Sequence, residues 1–187
     1  MPAIEINELT KDYQAGFWKR RRFRALDGLN LEVQQGEIFC LLGPNGSGKT
    51  TTQKLLLRLI FPSSGSIRIL GRSVRDTSVR ERIGYLPENP YFYDHLTAEE
   101  MLHYVGHLFR LTAEVRNTRV RTLLNQVKLG AERRFPLRKL SKGMLQRVGI
   151  AQSLMNDPEL LFLDEPLSGL DPVGRREVRD LILRLKI

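Results

Sequence analysis

The segment Gly43–Thr50 constrains this sequence more than any other feature. Its letters, GPNGSGKT, fit the pattern G-x-x-x-x-G-K-[ST]. The apolar run Glu37–Leu42 precedes it, and apolar residues with helical spacing follow it up to Ile60. The pattern therefore predicts a buried strand, a glycine-rich loop and a helix that Pro62 ends. Such a loop turns backbone N–H groups and a helix N-terminus toward one anion, which predicts a nucleoside triphosphate site.

Two side chains of this phosphate loop have expected tasks. Lys49 is expected to reach the β- and γ-phosphates, and the Thr50 hydroxyl is expected to bind Mg²⁺. The alternative is a glycine-rich turn that matches the pattern by chance, and the strand and helix predicted on either side argue against it. The predicted nucleotide-binding residues of this segment are Gly43, Pro44, Asn45, Gly46, Ser47, Gly48, Lys49, Thr50 and Thr51.

A second apolar run, Glu159–Leu163, leads into two adjacent carboxylates, Asp164 and Glu165. A buried strand would deliver both to the carboxyl edge of a sheet, where α/β folds bind ligands. Asp164 is expected to hold Mg²⁺, and Glu165 is expected to polarise the attacking water as a general base. An acidic pair that only stays hydrated is the alternative, and the phosphate loop earlier in the chain favours the functional interpretation.

The remaining patterns alternate between strands and helices, which predicts an α/β fold with parallel strands. Alternating apolar residues within residues 1–35 predict half-buried strands, interrupted by a loop at Gly16 and the basic cluster Lys19–Arg24. Thr97 followed by Glu100 fits a capping box at a helix start. The other predicted elements are strands at Ser66–Leu70 and Arg82–Leu86, helical structure over Leu96–Leu129 up to Gly130, a helix from Ser141 to Asp157, and a helix from Arg175.

The composition limits the classes of partner that the chain is expected to bind, but it does not distinguish between them. The formal net charge of +9 favours nucleotides, nucleic acids or anionic lipid headgroups. The cluster Lys19–Arg24 is either a solvated loop or a contact for lipid or nucleic acid. The single cysteine, Cys40, excludes an internal disulfide and fits a reducing compartment. No apolar run reaches the roughly 18 residues of a membrane span, and the acidic N-terminal segment is not typical of an export signal.

Two further motifs narrow the predicted nucleotide-binding protein to one family. The letters LSKGMLQR occupy residues 140–147, before the Asp164 strand, and SGLD follows it at residues 168–171. With the phosphate loop, this order resembles the nucleotide-binding domain of ABC transporters over essentially the whole chain. The resemblance implies ATP with Mg²⁺, and a P-loop NTPase fold: a RecA-like core with a mostly parallel sheet, an antiparallel β subdomain and an α-helical insert. It implies one domain, with core at residues 1–87 and 148–187 and the insert at 88–147.

The resemblance also assigns roles across a dimer. A signature loop of this family contacts the γ-phosphate held by the partner subunit, and a second loop crosses between the two subunits. Tyr13 matches an aromatic residue that stacks on adenine, although a packed aromatic on a small sheet is the alternative. The implied trans-acting residues are Ser141, Lys142, Gly143 and Met144 in the first loop, and Ser168, Gly169, Leu170 and Asp171 in the second.

Three departures from the family pattern matter. Lys142 and Met144 replace a glycine and a glutamine of the usual L-S-G-G-Q, a variant similar to subfamilies that drive ABC-2-type exporters. Glu88 stands where most members have a glutamine that senses Mg²⁺ and water and faces the transmembrane partner. The family's switch histidine would lie beyond Ile187, so the resemblance implies a chain truncated at its C-terminus. The histidines present, His95, His103 and His107, lie in the helical insert, and a solvated helix face is expected rather than a metal pair.

These features predict an ATP-hydrolysing motor subunit of a membrane transporter. It would act as a homodimer, bind a transmembrane permease and lie on the cytoplasmic face of the membrane, with anionic lipid as a further contact of Lys19–Arg24. One alternative is a DNA-acting ABC ATPase, although no coiled coil or zinc module separates Glu88 from Ser141, so a nucleic acid partner is disfavoured. Another is a nucleotide-binding fragment with impaired hydrolysis.

Overall fold

The computed structural model describes residues 1–15 and 21–185 of the chain. It contains two compact units, Met1–Arg80 and Glu81–Ile187. Gly16, Lys19 and Arg20, which the sequence assigns to a loop, lie outside the described residues, as does Ile187. No helix within the described ranges has both the length and the apolar content needed to cross a membrane.

The first unit contains a four-stranded antiparallel sheet with the order β2-β1-β3-β4. Ile4 of the first strand lies opposite Ile69, and Ile6 lies opposite Ile67, so these apolar side chains share one buried face. This alternation confirms the half-buried strands predicted near the N-terminus and at Ser66–Leu70. The strands are β1 at Pro2–Ala15, β2 at Arg21–Gln34, β3 at Ser64–Ile69 and β4 at Arg72–Ser73.

The described part of the basic cluster is a strand, which corrects the predicted loop. Arg21 to Arg24 begin β2, which pairs with β1 so that Arg24 lies opposite Asp12. Arg22 and Arg24 form ion pairs with Asp12 at 2.9 and 3.0 Å. A hydrogen bond from Arg24, with the positive charge of both arginines, lowers the pKa of Asp12. Cross-strand pairing of opposite charges therefore stabilises strand structure in a segment whose composition indicated a loop.

The prediction of a buried strand at Glu37–Leu42 is wrong. The segment is irregular, and Ile38, Phe39, Leu41 and Leu42 are 40 to 89% exposed. A strand requires a hydrogen-bonded neighbour, and no strand among the described residues pairs with this run.

The helix that follows the phosphate loop, α1, covers Lys49–Leu56 and ends before the predicted Ile60. Arg58 adopts a left-handed φ of 53°, and the Leu59 N–H donates to the Lys54 carbonyl at 2.8 Å. This left-handed turn ends the helix. Pro62, which lies four residues after Arg58, is therefore not the residue that ends it.

The second unit combines a parallel strand pair with four helices. The strands β5 (Ile83–Leu86) and β6 (Leu160–Leu163) pair in parallel, as their sequences predict. The α/β class is confirmed, although parallel pairing within residues 1–15 and 21–185 is limited to these two strands. The helices are α2 at Ala98–Leu108, α3 at Ala113–Gln126, α4 at Lys142–Ser153 and α5 at Pro172–Leu185, with a short 3₁₀ segment at Leu137–Lys139. Another 3₁₀ segment, Thr77–Arg82, begins in the first unit and ends in the second.

One apolar core holds this second unit together. Leu102 of α2, Leu124 of α3 and Ile150 of α4 are at most 2% exposed. Leu86 of β5 and Leu181 of α5 are buried in the same cluster. This shared core therefore holds the N-terminus of α4 and the C-terminal ends of both parallel strands in place.

The capping box predicted at Thr97 is confirmed. The Thr97 hydroxyl accepts a hydrogen bond from the Glu100 N–H at 3.2 Å, and the Glu100 carboxylate accepts from the Thr97 N–H at 2.8 Å. The hydrogen bonds from Thr97 lower the pKa of Glu100. Both bonds satisfy N–H groups that a helix start would otherwise leave without a partner.

Replacing Thr97 with Ala should lower the free energy of unfolding by about 1 kcal/mol, because the Glu100 N–H loses its acceptor. The pKa of Glu100 should rise toward its usual value in the same variant. Urea denaturation measures the first effect and NMR titration the second. Thr118→Ala, which removes an exposed hydroxyl within α3, is the matched control. Equal stability of the two variants would contradict the role of the cap.

Candidate nucleotide-binding site

The phosphate loop depends on glycine at two positions. Gly46 and Gly48 adopt left-handed φ angles of 84° and 89°, which residues with a side chain rarely adopt. A Cβ on Gly48 would lie 2.7 Å from Leu26 Cδ2 and 2.8 Å from the Ala25 carbonyl oxygen. A Cβ on Gly46 would meet no atom within 4 Å. The loop is therefore pressed against β2 where α1 begins, and it is open to solvent at Gly46.

Lys49 places its positive charge inside this loop. Its Nζ donates to the Gly43 carbonyl oxygen at 2.7 Å and to the Pro44 carbonyl oxygen at 2.9 Å. Thr50, in the first turn of α1, is exposed, and Thr51 is half-buried. A lysine ammonium, a helix N-terminus and a hydroxyl thus lie within a few residues of one another, which suits a phosphate group with a bound cation.

The side chain of Tyr13 lies on β1, opposite Phe23 of β2. Its ring is 37% exposed, and Lys11 Nζ lies 5.1 Å from the ring centroid. Lys11 also donates to the Phe61 carbonyl oxygen at 2.6 Å, which fixes the ammonium beside the ring. Tyr13 therefore offers an aromatic surface to solvent with a cation beside it, and adenine stacking on this ring stays a prediction.

The two carboxylates follow β6 in the second unit. The Asp164 N–H donates to the Leu86 carbonyl oxygen at 2.9 Å, so the parallel ladder extends to this residue. Glu165 then adopts a left-handed φ of 43°, and its carbonyl oxygen accepts from the Ser168 N–H at 2.9 Å. The chain therefore turns between the two carboxylates. Glu165 is exposed, whereas Asp164 is half-buried.

Tyr85 belongs to this edge of the sheet, and the sequence analysis missed it. It lies opposite Phe162 on the neighbouring strand. Burial, and then the negative charge of Asp164, raise the pKa of Tyr85 above its ordinary value. The feature that could have identified Tyr85 is the parallel register of β5 and β6, because this register places Tyr85 beside the last residues of β6. Glu88, two residues beyond β5, is exposed.

The predicted signature loop forms the start of α4. Ser141 caps this helix, and its Oγ accepts from the Met144 N–H at 3.2 Å. A Cβ on Gly143 would meet no atom within 4 Å, so the first turn is open on that side. Ser141 and Lys142 are exposed, and Met144 is half-buried. An open helix N-terminus capped by serine is suited to anion contact, and that contact stays a prediction.

The segment Ser168–Asp171 connects β6 to α5. Asp171 Oδ1 accepts from the Gly174 N–H at 3.1 Å, which makes Asp171 a cap of α5. This cap explains why α5 begins at Pro172 rather than at the predicted Arg175, since proline suits the first helical position. Leu170 is buried, and Gly169 adopts a left-handed φ of 65°.

The predicted site residues therefore fall into two groups. Tyr13 and the phosphate loop lie in the first unit, whereas the carboxylates, Glu88 and both predicted trans-acting segments lie in the second. His107 Nδ1 lies 3.4 Å from an Arg116 nitrogen. Among the residues that the structure describes, no cluster of three His, Cys, Asp or Glu side chains could hold a metal ion.

Comparison with known proteins shows which family this chain resembles. The family described as ABC transporter matches residues 26–168. An uncharacterised ABC transporter ATP-binding protein of Synechocystis is 51% identical over 98% of this chain and 52% of its own length. The bacitracin transport ATP-binding protein BcrA of Enterococcus faecalis is 39% identical over 97% of this chain and 55% of its own length. The chain thus spans about half the length of these relatives.

One solved structure is similar to this chain in its fold as well as in its sequence. The ATP-binding cassette MJ0796, a dimer in a post-hydrolysis state bound to ADP and Pi, matches with a TM-score of 0.84 and 27% identity. The match covers 98% of this chain and 82% of the solved one.

Proposed function

Since the chain belongs to the ABC transporter family of ATP-binding proteins, we propose that it forms the ATP-hydrolysing subunit of a membrane transporter. Two such subunits close on ATP and open after hydrolysis, and this movement drives substrate export through a membrane-spanning permease. The observation that supports the proposal is the phosphate loop, in which two left-handed glycines and the Lys49 ammonium lie in one turn before α1.

The residues of the first unit bind the nucleotide. The loop N–H groups and Lys49 hold the β- and γ-phosphates, whose oxygens compete with the Gly43 and Pro44 carbonyl oxygens for the donors of the ammonium. Adenine stacks on the exposed ring of Tyr13. The backbone segment Gly43–Gly48 approaches the phosphates closely because it carries few side chains.

Thr50 in α1 and the carboxylates that follow β5 and β6 carry the chemistry. The Thr50 hydroxyl and the carboxylates of Asp164 and Glu88 are oxygen donors of the kind that Mg²⁺ prefers. Bound Mg²⁺ would neutralise charge that develops on the β- and γ-phosphates. Glu165, exposed at the end of β6, accepts a proton from the attacking water.

The partners follow from the same family assignment. A second copy contributes Ser141 and Gly143 at the head of α4, supported by the dimer of the ADP-bound neighbour. Glu88 and the exposed Tyr91 beside it face the permease on the cytoplasmic side of the membrane. Lipid contact by Lys19–Arg24 stays a weaker proposal, since Arg22 and Arg24 are paired with Asp12. The transport proteins among the relatives give no support to a DNA-acting role.

Replacing Lys49 with Ala should weaken ATP binding roughly 10- to 100-fold, because a charge-assisted contact to phosphate is lost. Isothermal titration of the full-length protein with MgATP measures the change. Lys54→Ala removes the same charge from an exposed position in α1 and should leave the affinity within about twofold. Equal affinity in both variants, or no ATP binding by the parent protein, would overturn the proposed function.

A further inference from the structure

Lys142 has a position that helix stability does not explain. It is the first residue of α4, directly after the cap Ser141, and the first turn contains no acidic residue. The N-terminus of a helix carries a partial positive charge, so a cation there disfavours the helix. The side chain is exposed and fills no core. A lysine at this position therefore needs an explanation outside folding.

The side chain of Lys142 reaches the segment Ser168–Asp171. A Cβ on Gly169 would overlap the Lys142 Nζ, and it would lie 3.0 Å from Cε and 3.6 Å from Cδ. Gly169 also has a left-handed φ of 65°. The lysine stem and ammonium thus occupy the space where a side chain on residue 169 would begin. Both segments belong to the second unit.

Each end of this contact is anchored separately. At one end, Ser141 Oγ accepts from the Met144 N–H and fixes the first turn of α4. At the other end, the Asp171 carboxylate caps α5, and Arg175 Nε donates to the Leu170 carbonyl oxygen at 2.9 Å. Lys142 spans the gap between these two anchored segments. A glycine at position 142, as in the usual family motif, has no side chain that could do so.

We propose that Lys142 is a positioning residue whose side chain, lying across Gly169, joins the head of α4 to the segment Ser168–Asp171. The two segments then meet a second copy of this chain as one preformed surface. The inference rests on the proposed function, in which a second copy contributes the start of α4, and on the family resemblance, which implies that Ser168–Asp171 also crosses between the subunits. A joined surface loses less conformational freedom when the dimer closes, so ATP-dependent association is tighter.

The test is a double-mutant cycle in the full-length protein with Glu165→Gln as the parent, which keeps ATP bound. Analytical ultracentrifugation with MgATP gives the dimer dissociation constant of the parent, Lys142→Ala, Gly169→Ala and the double variant. Each single change should weaken the dimer about tenfold, and the double variant should be no weaker than Gly169→Ala alone. An alanine at position 169 strains the backbone equally with and without Lys142. This strain therefore cancels from the coupling energy that the cycle measures.

Two further measurements separate positioning from stability and charge. Without nucleotide, the thermal midpoint of Lys142→Ala should equal or exceed that of the parent, because a cation leaves the helix N-terminus. Lys139→Ala removes the same charge from a nearby exposed position and should change the dimer constant less than twofold. Gly169→Asn, which tolerates a left-handed φ better than alanine, replaces Gly169→Ala should that variant misfold.

The outcomes are distinguishable. Additive losses in a parent that dimerises would overturn the role of Lys142 and leave the proposed function standing. A lower thermal midpoint in Lys142→Ala would assign the residue to folding and overturn the role as well. A parent that stays monomeric with MgATP would overturn the proposed function, and this inference with it.

Discussion

Replacing Glu165 with Gln is expected to lower the rate of ATP hydrolysis about a thousandfold, because an amide cannot accept the proton of the attacking water. The affinity for ATP should stay within about twofold, since Gln has nearly the same shape as Glu. The backbone at residue 165 is held by the hydrogen bond from the Ser168 N–H to its carbonyl oxygen, and the substitution leaves this bond in place. Phosphate release under single-turnover conditions measures the rate, and titration with MgATP measures the affinity.

A matched control separates the catalytic effect from a loss of charge. Glu177→Gln removes one negative charge from an exposed position in α5 and should leave hydrolysis unchanged. A Glu165→Gln protein that hydrolyses ATP as fast as its parent would remove the assignment of the general base. A parallel loss of ATP affinity would instead place Glu165 in nucleotide binding.

The second large effect is expected at Gly48. Gly48→Ala should lower the free energy of unfolding by about 3 kcal/mol, because it adds backbone strain and forces a Cβ against Leu26 and the Ala25 carbonyl oxygen. Relief of that overlap would move the loop away from β2, so ATP binding should fall to background. Urea denaturation followed by circular dichroism measures the stability, and MgATP titration measures the binding.

Gly46→Ala is the control that measures backbone strain without the steric overlap. Its φ of 84° is close to the 89° of Gly48, whereas its Cβ would meet no atom within 4 Å. The cost of Gly46→Ala should therefore be about 1 kcal/mol, the strain of a left-handed alanine. Equal costs at the two glycines would show that contact with β2 does not restrain the loop.

Local chemistry was predictable from the sequence wherever neighbouring residues decide the structure. The capping box at Thr97, the helix start at Ser141 and the strand β6 before Asp164 each depend on a few consecutive residues. Each was predicted, and the structure contains each of them. The patterns also predicted half-buried strands near the N-terminus and the α/β class, because alternation and helical spacing are local properties.

Features that depend on distant partners were not predictable. The run Glu37–Leu42 reads as a buried strand, yet pairing decides whether such a run becomes one. The register that places Arg24 opposite Asp12 converts part of a predicted loop into strand. Tyr85 beside Asp164 and Lys142 over Gly169 join segments far apart in the sequence. No periodicity within either segment encodes these contacts.

The two hydrogen bonds between Lys49 and its own loop imply that ligand entry is a competition. An incoming anion competes with the Gly43 and Pro44 carbonyl oxygens, which already occupy two of the three N–H donors of the ammonium. Weakly charged anions gain too little from the exchange, whereas a polyphosphate with several clustered negative oxygens gains much more. If the loop binds nucleotide as proposed, this competition would let it discriminate between anions by their charge density.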